Sequence, residues 1–270
     1  MEKAILRLLE QAPFDIRLII KDAGGSQFLL SKNPDDVFQS ASLIKVPILL
    51  ALLDSIENRN FTLHQTVQIS KENRVEYSVL TELGTEECSL HDLLVWMIIT
   101  SDNTATNVLI DLIGLENINR YFKKVGLTQT KIQRKMMDFH QMARGFDNVT
   151  TAADMATLYT AIYRKSLLSK EHSELVIDIL SRQRVHESLR RYLVEDVKMA
   201  HKTGSLATVE HDVGIVFSSK RDYIIGVFVT DHTNSEEAKR FIGQVSKIVY
   251  DHLAKEDGRL DESSYKVNDR

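Results

Sequence analysis

The sequence has a single cysteine, Cys88, among its 270 residues. An internal disulfide is therefore excluded, which is compatible with a reducing compartment. No apolar run reaches the roughly 18 residues that a membrane-spanning helix needs. Charged side chains interrupt residues 1–16, so no signal peptide is visible there. We expect a cytoplasmic protein that makes no membrane contact.

An excess of charge of one sign is also absent. The chain carries 34 Lys and Arg against 38 Asp and Glu, a formal net charge of -4, and its basic residues are scattered. This balance argues against binding to nucleic acid. The nine histidines include no His-Glu-x-x-His or comparable ligand spacing. We therefore expect a small-molecule substrate, no metal, no cofactor and a monomeric protein.

The hydrophobic pattern changes twice along the chain. Alternating apolar segments, typical of strands, occupy 15–22, 27–30, 212–217 and 223–229. Helical patterns occupy 43–56, 89–100, 104–113, 115–125, 150–164, 170–181 and 235–253. This order predicts an α/β fold of the α+β kind, with one antiparallel sheet built from both chain ends and an inserted all-helical domain. We place the sheet domain at 1–60 and 196–270, and the helical domain at 61–195.

Three short motifs supply the parts of a serine acyl-transfer site. They are Ser42-Leu43-Ile44-Lys45, Ser101-Asp102-Asn103 and Lys202-Thr203-Gly204, in that order. Ser42 and Lys45 lie three residues apart, so on a helix they share a face and the amine can reach the hydroxyl. A lysine whose pKa is lowered by burial and by a second cation, here Lys202, can accept the proton of a serine nucleophile.

The other motif residues fit supporting roles in the same reaction. Ser101 could pass a proton to the leaving nitrogen, and Asn103 could orient Lys45 and hold a substrate amide, whereas Asp102 more simply anchors the loop. Lys202 and Thr203 could hold a substrate carboxylate, while Gly204 lets a substrate backbone approach the sheet edge. The backbone N–H groups of Ser42 and Ser205 would form the oxyanion hole.

These motifs, in this order, resemble those of the class A serine beta-lactamases and the penicillin-recognising enzymes related to them. The likeness extends to the longer segments 41–47, 99–107 and 150–156, and it covers about residues 15–254. The resemblance implies a fold of the beta-lactamase and DD-peptidase type. It also implies a hydrolase that opens beta-lactam amides through an acyl-Ser42 intermediate.

One loop departs from the family pattern Arg-x-Glu-x-x-Leu-Asn, whose glutamate activates the water that releases the acyl group. Here Arg134 matches, Met136 occupies the glutamate position, and Asp138 lies two residues later. Loss of a positioned base typically costs about 10²- to 10⁴-fold in rate. We therefore predict slow deacylation. The alternatives are a D-Ala-D-Ala-type peptidase, amidase or esterase on the same scaffold, and a covalent beta-lactam binder or sensor without turnover.

Three further residues are weaker candidates, each with an ordinary alternative. Asp138 is either a displaced water-activating base or a carboxylate that caps backbone amides. Tyr77 lies where the family places an aromatic residue on the rim of the site, or it is a surface tyrosine. Arg221, in the turn before the last strand, either assists in binding a substrate carboxylate or is a solvated turn charge.

Overall fold

A computed structural model describes residues 1–193 and 197–254 of the chain. Its strands are β1 (Asp15–Asp22), β2 (Phe28–Lys32), β3 (Phe38–Gln39), β4 (Thr66–Gln68), β5 (Glu87–Ser89), β6 (Val149–Thr150), β7 (Met199–Leu206), β8 (Val209–Val216) and β9 (Tyr223–Thr230). Five of them form an antiparallel sheet in the order β2-β1-β9-β8-β7. The sheet is built from both ends of the chain, as the sequence predicts, and β7 lies at one edge of it.

The helices surround this sheet on both faces. They are α1 (Glu2–Gln11), α2 (Lys45–Glu57), α3 (Val79–Glu82), α4 (Leu90–Ile99), α5 (Asn103–Ile113), α6 (Leu115–Lys124), α7 (Phe139–Ala143), α8 (Ala152–Tyr163), α9 (Lys170–Ser181) and α10 (Ser235–Leu253). The predicted long helices are confirmed to within about two residues at each end. The short pairs β3–β6 and β4–β5 and the short helices α3 and α7 were not predicted, because two to five residues carry too little periodicity.

The two faces of the sheet bury two separate hydrophobic cores. In β8, Val213 and Ile215 pack towards the helical layer of α2 to α9, whereas Val216 packs towards α1 and α10. The alternation follows from the two-residue period of a strand. β8 begins at Val209, earlier than predicted, because its pairing with β7 extends down to Leu206 at the tip of the hairpin.

Helix α2 runs through the centre of the helical layer. Every residue from Lys45 to Leu53 is buried, and the helix packs against α4, α5, α6 and α9. A helix that is apolar on all sides requires such a position.

The predicted division into 1–60 with 196–270 and 61–195 stays a prediction, and its boundary residue 196 lies outside the described residues. Across residues 1–193 and 197–254, none of the helices combines the length and the apolar character needed to cross a bilayer.

Candidate active site

The predicted nucleophile lies in a tight turn that directly precedes α2. Ser42 belongs to a 3₁₀ turn, Ala41–Ile44, and α2 begins at Lys45. The sequence predicted a helical pattern from residue 43, so Ser42 directly precedes the predicted helix. Pro47 falls in the first turn of α2, where its missing N–H costs nothing.

The edge strand β7 packs directly against this turn at Gly204. A Cβ atom on Gly204 would lie 3.1 Å from Ala41 Cβ and 3.2 Å from both Ser40 O and Ser42 N. A side chain at position 204 would therefore require the neighbouring turn to shift by a few tenths of an ångström. The sequence assigned this glycine to the approach of a substrate backbone. In the structure the Ser42 turn lies where a Cβ on Gly204 would be, and the approach of a substrate backbone stays a prediction.

Lys45 is fully buried and its amine contacts the Ser-Asp-Asn motif. Its Nζ lies 2.6 Å from Ser101 O, 3.1 Å from Ser101 Oγ and 2.8 Å from Asn103 Oδ1. Among the described residues, the Lys45 amine makes these three contacts and no hydrogen bond to Ser42, which the sequence analysis had expected. Burial lowers the pKa of Lys45 well below its usual value, and the positive charge of Lys202 lowers it further. The direction and both causes agree with the sequence prediction.

Lys202 approaches the same hydroxyl from β7. Its Nζ donates to Ser101 Oγ at 3.0 Å and to Thr203 O at 2.8 Å. Burial lowers the pKa of Lys202 to about 7, against the opposing attraction of Asp212. The Ser101 hydroxyl therefore lies between two lysine nitrogens that were 56 and 101 residues away in sequence. Either lysine can exchange a proton with it.

Ser101 has an uncommon backbone conformation, and its neighbour Asp102 anchors the loop. The φ of Ser101 is 58°, in the left-handed region that L residues rarely occupy. Asp102 is fully buried, and it accepts hydrogen bonds from Ser78 Oγ at 2.9 Å, Leu80 N at 3.1 Å and Ala105 N at 2.8 Å. The prediction that Asp102 anchors the loop is confirmed, since these bonds fix the start of α5.

Asn103 connects the lysine to a neighbouring loop. While its Oδ1 accepts from Lys45, its Nδ2 donates to Glu76 O at 3.3 Å, and its backbone N–H donates to Tyr77 O at 3.4 Å. The predicted grip on a substrate amide would thus have to compete with Glu76. Tyr77 adopts a φ of 55° and leaves 77% of its surface exposed. Its role on the rim stays a prediction.

The loop that departs from the family pattern is held in place at three points. Arg134 is buried and forms a salt bridge of 2.8 Å with Asp147. Asn107 accepts from Met136 N at 2.7 Å and donates to Met136 O at 3.2 Å. Because Asn107 follows Asn103 by one helical turn, Met136 lies beside the helix that orients Lys45. The Met136 side chain is buried.

Two weaker candidates have structural roles outside the lysine cluster. Asp138 caps the N-terminus of α7, where it accepts from Gln141 N at 3.0 Å, which corresponds to the ordinary alternative. Arg221 Nε lies 2.6 Å from Asp22 Oδ2, in the turn after Val216. That turn is about 20 Å along β8 from Glu210, which pairs with Ser205, at about 3.3 Å per residue. This pairing corresponds to the ordinary alternative of a turn charge, and the substrate role of Arg221 stays a prediction.

The sequence analysis missed His211, which ties β8 to the segment before Ser42. His211 is fully buried and packs between Phe38 and Phe228. Its Nε2 lies 2.9 Å from Gln39 O and its Nδ1 2.9 Å from Glu210 O. Burial lowers the pKa of His211 to about 4, so the ring is neutral near pH 7 and donates only one N–H. The position of His211 becomes apparent only from the strand register, which sets this residue opposite Gly204.

The amines of the buried Lys45 and Lys202 both contact Ser101 Oγ, and Ser42 lies beside the edge strand β7. This arrangement is that of a serine hydrolase. A model described as the beta-lactamase enzyme family matches residues 1–253. The chain belongs to that family and is a beta-lactamase-like hydrolase.

Individual relatives agree with this assignment. Beta-lactamase AER-1 of Aeromonas hydrophila is 29% identical over 228 residues, which cover 82% of this chain and 75% of that protein. Beta-lactamase VEB-1 of Pseudomonas aeruginosa is 25% identical over 241 residues, covering 83% and 80%. The solved structure of PBP-A has a TM-score of 0.84 and 28% identity over 93% of this chain and 94% of its own. The TLA-1 beta-lactamase, with a TM-score of 0.87 and 21% identity over 94% and 98%, shares the fold.

Proposed function

We propose that this protein opens the amide bond of beta-lactams by acylation of Ser42. The Ser42 Oγ attacks the lactam carbonyl carbon, the carbon–nitrogen bond breaks, and the hydroxyl proton passes to Lys45 and through Ser101 to the leaving nitrogen. The observation that carries this proposal is the Ser101 hydroxyl, 3.1 Å from Lys45 Nζ and 3.0 Å from Lys202 Nζ. A buried amine with a lowered pKa is a competent base.

The sheet edge supports the binding half of the proposal. The backbone N–H groups of Ser42 and Ser205 are the proposed oxyanion donors, and the close packing of Gly204 on the Ser42 turn brings these two segments together. Lys202 and Thr203 are the proposed contacts for a substrate carboxylate. One of the hydrogen bonds that the Lys202 amine donates goes to Thr203 O.

We further propose that release of the acyl group is slow. Met136 stands where the family pattern has its water-activating glutamate, and Asn107 fixes its backbone beside α5. A thioether cannot accept a proton from water at neutral pH, so the second half-reaction has no base at this position. A mutant of PBP-A has been solved as an acyl-enzyme complex with penicillin G, at 28% identity to this chain.

The test is intact mass spectrometry after incubation with benzylpenicillin. We expect an adduct equal in mass to the intact penicillin, because ring opening loses no atoms. Ser42→Ala should give no adduct. Hydrolysis of a chromogenic cephalosporin is measured in parallel. Absence of both the adduct and cephalosporin turnover in the wild-type protein would refute the proposal.

A second candidate is a covalent binder or sensor that is acylated once, and Met136 is the observation that favours it. Its test is kinetic, since many turnovers without accumulated adduct would exclude it. Peptidase, amidase and esterase activities are compared with D-Ala-D-Ala peptides and short acyl esters, run beside Ser42→Ala. The preferred substrate is the one with the largest Ser42-dependent rate.

A further inference from the structure

His211 lies on the face of the sheet that carries the Ser42 turn. The register of β7 with β8 pairs it with Gly204, whose backbone packs against that turn. Paired residues of neighbouring strands face the same side of a sheet. The imidazole accordingly contacts Phe38 and Phe228, which belong to the core on the side of α2 to α9. His211 and the nucleophile are therefore on the same side of the sheet.

The segment that leads into Ser42 is held from two sides. On the side of β8, His211 Nε2 lies 2.9 Å from Gln39 O, three residues before Ser42. On the side of β6, Ser40 N donates to Asn148 O at 2.8 Å. The contact with His211 is thus the one that ties this segment to the central sheet.

The chain between Ser40 and Ser42 has a conformation that needs such support. Ala41 has a φ of 45°, in the left-handed region that is unfavourable for a residue with a Cβ atom. Strained conformations of this kind persist only where the surrounding structure over-determines them. Leu43 N donates to Ser40 O at 3.0 Å and closes the turn around Ala41. Contacts made just before this turn therefore help to fix the place of the Ser42 hydroxyl.

A neutral His211 can donate to only one of the two carbonyls beside its ring. Burial lowers the pKa of His211 to about 4, so near pH 7 the ring carries one N–H. Its Nδ1 lies 2.9 Å from Glu210 O, the carbonyl of the preceding residue in β8. A proton on Nδ1 would serve a contact within one strand. A proton on Nε2 joins β8 to Gln39.

We propose that His211, by donating its Nε2–H to Gln39 O, is a positioning residue that keeps Ser42 in place for attack on the acyl carbonyl. The proposal rests on the proposed acylation of Ser42. His211 acts through the backbone of the turn and not on the reacting atoms. Loss of its N–H should therefore lower the rate of acylation and leave the non-covalent binding of the substrate unchanged.

The test compares His211→Gln with His211→Asn. The amide nitrogen of glutamine is as many bonds from Cβ as His Nε2, whereas that of asparagine corresponds to Nδ1. Acylation by benzylpenicillin is followed by quenched-flow intact mass spectrometry over a range of concentrations. We expect His211→Gln to stay within about threefold of the wild-type maximal rate. His211→Asn should lose about tenfold, with an unchanged half-saturating concentration.

Thermal unfolding separates positioning from a purely structural role. Both variants lose the ring between Phe38 and Phe228, so their Tm values should fall by similar amounts. A structural role would make the acylation rate follow Tm, whereas positioning makes it follow the reach of the donor. His232→Gln is the control, because His232 is buried and its ring nitrogens have no hydrogen-bond partner among the described residues. It should be acylated at the wild-type rate.

Equal maximal rates in the two folded His211 variants, or a faster His211→Asn, overturn the inference. If His211→Asn does not fold, His211→Met replaces it, since methionine has about the length of glutamine and no N–H. His211→Met should then show the tenfold loss, and a rate equal to that of His211→Gln overturns the inference. Absence of acylation in the wild-type protein overturns the proposed function itself.

Discussion

Replacement of Met136 by glutamate tests the link between this loop and the release of the acyl group. The Met136 backbone is held by two hydrogen bonds to Asn107, and the loop is closed by Arg134 and Asp147. Asn107 and Asn103 are four residues apart on α5, a separation of about 6 Å along the helix. A carboxylate at position 136 would therefore start one helical turn from the residue that contacts Lys45.

The expected gain follows from the usual worth of a positioned base, about 10²- to 10⁴-fold in rate. We expect the lower part of this range for Met136→Glu, about 10²-fold faster deacylation, because the surroundings of the buried Met136 are not arranged around a charged side chain. The position is buried, at 7% exposure. A carboxylate there should cost about 1–3 kcal/mol of unfolding free energy unless Lys45 compensates for it.

The assay follows the decay of the acyl-enzyme. Wild type and variant are acylated with benzylpenicillin, excess compound is removed, and the adduct is followed by intact mass spectrometry. Met136→Gln is the control, because it matches the size and polarity of glutamate without supplying a base. The reasoning is refuted if folded Met136→Glu loses its adduct no faster than Met136→Gln.

Three further outcomes are expected. Gly204→Ala should lower the acylation rate by about 10²-fold, since the new Cβ displaces the Ser42 turn, and equal rates in a folded variant would contradict this. Lys202→Met should raise the pKa of Lys45, because it removes a nearby positive charge. The acidic limb of the acylation pH profile, measured with a neutral acyl ester, should therefore move to higher pH. An unmoved limb would show that Lys202 does not lower the pKa of Lys45. His211 has a pKa of about 4 in the fold against 6.5 ordinarily, so the unfolded chain takes up the proton first as pH falls. Urea unfolding should accordingly show about 3 kcal/mol of stability lost between pH 6.5 and 4, and His211→Gln should flatten that slope.

The long elements could be predicted because their signals are local. Helix α10 and strand β1 were predicted with the observed limits, since their apolar periods repeat over 19 and 8 residues. The interpretation of Asp138 stayed open because a carboxylate in a loop is compatible with both catalysis and capping. The observed contact shows that Asp138 caps α7, and its catalytic role stays a prediction.

Contacts between strands could not be predicted in the same way. Arg221 and Glu210 are both near the last strands in sequence, but the register of β7 with β8 sets Glu210 opposite Ser205 and carries Arg221 to the far end. A strand's register depends on which face is buried and on the hairpin that joins it to its neighbour. His211 was missed for the same reason.

The amino-acid sequence by itself determined the class of chemistry. It predicted the nucleophile at Ser42 and set the lysines at 45 and 202 and a methionine where the family pattern has its glutamate. The tertiary structure alone decided that the Lys45 amine turns to Ser101 and Asn103, and that Glu210 lies opposite Ser205. The reason is physical, because residue identity and helical spacing are local properties. Contacts across 56 or more residues form only when buried faces and strand registers are satisfied together.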